Sequence, residues 1–80
     1  MKINVVKQLV ENYDCQKLNH LIEELENGEP LSHPVEGDSE GEQLTHLLGA
    51  AWIHEQMLEN NTDIRTELRN FAGRVRESIG

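Results

Sequence analysis

Apolar residues recur along this chain at helical spacing. Ile3, Val6, Leu9, Val10 and Tyr13 follow one another at steps of three and one, which puts them on one face of a helix. The opening Ile3–Val6 is also rich in β-branched residues, so a short strand at residues 3–6 competes with the helix there. Asp14 comes next as an N-cap whose carboxylate can accept from the first free amides of a second helix. Leu18, Leu21, Ile22 and Leu25 then repeat at i, i+3, i+4 and i+7, and Gly28 stands where a left-handed residue ends a helix. The pattern predicts helices over about 3–13 and 15–27, joined as a tight hairpin.

Pro30, Pro34, Gly28 and Gly37 interrupt both periods, so residues 28–39 read as an acidic Pro/Gly loop, with Leu31 and Val35 available to pin it to a core. Ser39 and Glu42 have the S-x-x-E spacing of a capping box and start a third helix, 40–59. Asn60 and Asn61 break it. Thr62 is then expected to cap a fourth helix, 63–78, with Ile64, Leu68, Phe71, Ala72, Val75 and Ile79 on one side. The expected fold is all-α: a compact bundle of four helices (about 3–13, 15–27, 40–59, 63–78) forming a single domain over residues 1–80.

The third helix is apolar on two sides. Leu44, Leu47, Leu48, Ala51 and Leu58 fall in one wide stripe, while Ala50, Ile53 and Met57 lie opposite, with Trp52 at the border. A helix of this kind must be covered twice, so it is either central or shared with another subunit. Gly49-Ala50-Ala51 places small side chains mid-helix, where glycine costs roughly 1 kcal/mol relative to alanine and a packing reason is expected. A chain this short buries only about 60% of its unfolded surface, which favours help from self-association. The expectation is a homodimer whose interface is His46, Gly49, Ala50, Ile53 and Met57.

Charge narrows the partners. Fifteen acids against seven bases give −8, distributed as −2 over residues 1–26, −5 over 27–43, −2 over 44–62 and +1 over 63–80. Phosphate backbones and anionic membranes need clustered Lys and Arg, so nucleic acid and membrane surfaces are disfavoured. A basic protein is permitted, with Glu36, Asp38 and Glu40, or the stripe of Arg65, Arg69 and Arg76, as the expected contacts. A single cysteine excludes an internal disulfide. The uncharged run Gln43–Ile53 is about half of a bilayer span, and the N-terminus lacks a signal peptide's apolar core, so a cytoplasmic location is expected.

No catalytic constellation or cofactor motif emerges. Glu55 falls in the middle of the Leu44 stripe and requires a partner if buried, for which Arg65, Arg69 and Arg76 are the available cations. Glu42 and His46, four apart, could share a metal, but no second helix repeats the pair, so they are weak ligand candidates. Residues 36–42 resemble a calcium loop until Leu47, which occupies the position of the bidentate glutamate. Cys15 reads as a small apolar residue, His20 as solvent-facing, and His33 as a loop residue without a companion. A helix-turn-helix reader would turn Glu23, Glu24 and Glu26 toward phosphate, which like charge forbids. The functional expectation is a non-enzymatic interaction or regulatory module acting as a homodimer. One alternative is a metal-binding or small catalytic protein using Glu42, His46, His54 and Glu55. Another is an acidic nucleic-acid mimic that sequesters a basic protein.

Overall fold

The computed structural model describes the backbone of residues 2–79 and the side chains of residues 2–74. Four helices follow in order: α1 (Ile3–Asn12), α2 (Cys15–Glu26), α3 (Glu40–Asn60) and α4 (Ile64–Ile79), with no strand among the described residues. Each boundary lies within one residue of the expected one. The ambiguous opening is helical because Val5, Val6, Leu9 and Val10 all reach the core together. A strand would send Val5 and Val6 to opposite faces.

Local chemistry sets the ends. Asp14 Oδ1 accepts the Lys17 N–H at 2.8 Å, capping α2. Gly28, at φ +72°, ends it: the Gly28 N–H donates to the Leu25 carbonyl and the Glu29 N–H to that of Glu24. Ser39 Oγ accepts the Glu42 N–H at 3.2 Å, the first half of the expected box, and Glu42 Oε2 accepts from the Asp38 N–H at 3.1 Å. α3 stops at Asn61, which adopts the left-handed conformation, φ 53°. Thr62 is not the cap of α4. Asp63 is, accepting the Thr66 N–H at 2.9 Å, and the helix begins one residue later than expected.

The 28–39 loop is held as anticipated, with Val35 buried and Leu31 half-buried. Gln43 Nε2 donates to the Val35 carbonyl at 2.8 Å. Glu24 Oε1 accepts from both the N–H and the hydroxyl of Ser32, each at 3.0 Å, which holds its carboxyl below the ordinary value. Gly37 passes so close to Gln43 that a Cβ there would lie 2.8 Å from Cγ.

α3 is the central element, touching α1, α2 and α4, while α1 also meets α4. Leu47, Ala50 and Ile53 are fully buried, beside Val6, Leu18 and Leu21. The Phe71 ring of α4 lies directly on Gly49, where a Cβ would stand 2.7 Å from Cζ. This corrects the expected dimer interface. His46, Gly49, Ala50 and Ile53 are buried within one chain and Met57 is half-buried against the same core. One 80-residue chain does cover that side, because α1 and α4 close over it. The other stripe is covered only in part: Leu47 and Ala51 are buried and Leu44 half-buried, while Leu48 is 51% and Leu58 80% exposed. Val75, Ile79 and Arg76 lie outside the residues with described side chains.

Candidate interaction surface

The two histidines of α3 lie eight positions apart, and each holds one end of α1. His46 is completely buried. Its Nε2 accepts the Lys2 backbone N–H at 3.0 Å and its Nδ1 meets the Glu36 carbonyl at 2.8 Å. A backbone N–H can only donate and a carbonyl can only accept, so the ring is neutral with its proton on Nδ1. His54 Nε2 donates to the carbonyls of Val10 and Tyr13, at 3.1 and 2.8 Å, serving the end of α1 where carbonyls lack helical partners. His46 thus joins the N-cap residue of α1 to the loop, and His54 closes the helix from the other end.

This geometry leaves His46 without a free lone pair for a metal. Glu42 Oε1 is 4.0 Å from His46 Nε2, but the lone pair a metal needs already accepts from Lys2. The Glu42 carboxyl is held below its ordinary pKa, chiefly by the Asp38 N–H. No group of three His, Cys, Asp or Glu side chains among the described residues could hold an ion.

Glu55 is not the buried carboxylate; it is exposed, and no ion pair with Arg65 or Arg69 forms. The buried acid is Glu67 of α4, 1% exposed, which the sequence reading passed over. Thr62 Oγ1 donates to its Oε2, Asn60 Nδ2 to the same oxygen at 3.4 Å, and Asn70 Nδ2 to Oε1 at 3.3 Å. The Thr62 hydroxyl is the largest cause that keeps this carboxyl ionised below the ordinary range; burial works against it. The signal was present: Glu67 stands three after Ile64 and four before Phe71, on the apolar side of α4, with hydroxyl and amide side chains around it.

Beside this network a groove of about 440 Å³ runs between α3 and α4, lined by Trp52, Gln56, Asn60, Arg69, Asn70 and Arg74 among others. Its aromatic wall is already covered, since the Arg74 guanidinium lies 5.4 Å from the Trp52 ring centroid and Phe71 flanks the indole at 5.8 Å. Glu67 has spent its oxygens within the fold. The groove therefore reads as the seam of the α3–α4 hairpin.

On the surface, Glu36, Asp38, Glu40, Arg65 and Arg69 are exposed as expected. Arg76 has no described side chain. His20 is exposed within 3.5 Å of Glu24, Cys15 is half-buried, and His33 does have a companion, the edge of Tyr13 at 5.6 Å. The outer face of α3 differs from the rest. Leu48, Glu55 and Leu58 are exposed on it beside half-buried Leu44, and a hollow of about 410 Å³ opens at its C-terminal end, lined by Glu55, Leu58 and Glu59.

A family model covers residues 1–80. The chain belongs to the DUF6952 family, described as a family of unknown function. Nothing among the curated proteins matches this DUF6952 chain, and nothing among the solved structures does. No described helix is long and apolar enough to cross a membrane.

Proposed function

We propose that this protein is a non-enzymatic interaction module whose contact surface is the outer face of α3. The observation that carries the reading is the exposure of two leucines, 51% at Leu48 and 80% at Leu58, on one line of the central helix. Each leaves apolar area in water that a partner would cover, worth roughly 1.5–3 kcal/mol for a fully buried leucine. Scattered surface leucines are common, but these share a helix face with half-buried Leu44. The same helix carries the core on its inner side, so the contact surface is rigidly held.

A photo-crosslinking residue placed at 48 or 58, in cells of the native host, tests this. Adducts formed from those two positions, and not from exposed Asn19 on α2, are the expected result. Equal yields from all three positions, or none from 48 and 58, would contradict it. The earlier homodimer expectation survives only as one possible adduct, a second copy joined through Leu48 and Leu58 rather than through Ile53.

A further inference from the structure

We infer that the outer face of α3 takes a basic amphipathic helix of another protein, with a Lys or Arg side chain of that helix seated in the hollow formed by Glu55, Leu58 and Glu59. The inference rests on the reading of that face as the contact surface and adds the chemistry of what covers it. α3 carries Glu40, Glu42, Glu55 and Glu59 and no Lys or Arg. Along the chain, no Lys or Arg occurs between Lys17 and Arg65. Glu59 accepts a long 3.5 Å bond from Gln56, and among the described residues neither Glu55 nor Glu59 forms an ion pair. An apolar partner laid over Leu48 and Leu58 would strip water from both carboxylates, an uncompensated cost.

A second copy makes this worse. It brings the same acids and a charge of −8 to a surface that carries the same. A basic side chain resolves both demands at once. Its methylene stem lies along Leu58 while its charged end reaches the carboxylates one helical turn apart. Leucines about three and four turns away on the partner then cover Leu48 and Leu44.

The test uses the whole protein and two tryptophan-free helical peptides. Both carry a leucine face; one is flanked by lysines, the other by glutamates. Trp52, the only tryptophan, borders the face and reports binding by fluorescence. The lysine peptide is expected to bind, to weaken about three- to tenfold with Glu55→Gln/Glu59→Gln, and to weaken about tenfold with Leu58→Ala. Equal binding of the glutamate peptide overturns the basic partner and leaves the contact surface standing. So does self-association of the protein alone, seen by sedimentation and abolished by Leu58→Ala. Lysine-peptide binding that ignores Leu48→Ala and Leu58→Ala marks capture by charge alone and overturns the inference. If neither peptide binds and the protein stays monomeric, the contact-surface reading falls with it. Circular dichroism of each variant shows that the fold is retained.

Discussion

Replacing Gly49 with alanine should reverse the sign that helix propensity alone dictates. In an open helix the change stabilises by roughly 1 kcal/mol. Here the new Cβ would meet Phe71 at 2.7 Å from Cζ, 3.3 Å from Cε1 and 3.4 Å from Cε2. Relieving that overlap requires the ring, or α4 with it, to move outward, and overpacking of this kind costs about 1–3 kcal/mol. Gly49→Ala is therefore expected to be neutral to destabilising by about 2 kcal/mol, the two figures being subtracted. Leucine lacks the outer half of the ring, which is the part the methyl meets. In a Phe71→Leu background, Gly49→Ala should thus regain its stabilising value of about 1 kcal/mol. Urea unfolding of the four proteins gives a coupling energy of about 1–3 kcal/mol. Full stabilisation by Gly49→Ala in the wild-type background, with no coupling to position 71, would refute the seating of Phe71 on α3.

Three further outcomes follow from the same packing. Ile53→Ala empties a fully buried site and should cost about 2–5 kcal/mol, whereas Leu58→Ala should change stability by less than about 0.5 kcal/mol; the Ile53 penalty should not vary with protein concentration, as it would at a subunit interface. His46→Ala leaves the Lys2 N–H and the Glu36 carbonyl without partners, for a loss of about 2–4 kcal/mol and faster amide exchange in the first turn of α1. Acid should destabilise the fold: Glu24, Glu42 and Glu67 titrate below their ordinary 4.5 and Asp63 below its ordinary 3.8. Because those folded values are depressed, the contribution is complete above the ordinary values and is lost as pH falls through the depressed ones. Thermal unfolding across that range should show the loss, and Glu67→Gln should lessen it; an unchanged profile in that variant would count against the Thr62–Asn60–Asn70 cradle.

Helix ends were legible because they are local. Asp14, Ser39 and Gly28 each act within a few residues, so reading them needs no knowledge of tertiary packing. Thr62 misled because two capping residues stand side by side, and only the structure shows that Thr62 turns to Glu67 while Asp63 caps. The orientation of α3 was not legible. By bulk, the leucines at 44, 47, 48 and 58 outweigh Gly49, Ala50 and Ile53, so the leucine side looked like the core. Packing follows complementarity of shape instead: Gly49 admits an aromatic ring and Ala50 a close neighbour, and only Leu47 of the four leucines is fully enclosed. His46 fell on the side assigned to a partner for the same reason. Its role depends on Lys2 and Glu36, which sequence distance separates from it.

The most direct test of which side of α3 faces water is methyl NMR with a soluble paramagnetic agent. The account predicts strong broadening of the Leu58 and Leu48 methyls, with Ile53 and Leu47 protected to the degree seen for Leu18 and Leu21. Broadening of Ile53 as strong as that of Leu58, or protection of Leu48 and Leu58, would contradict it.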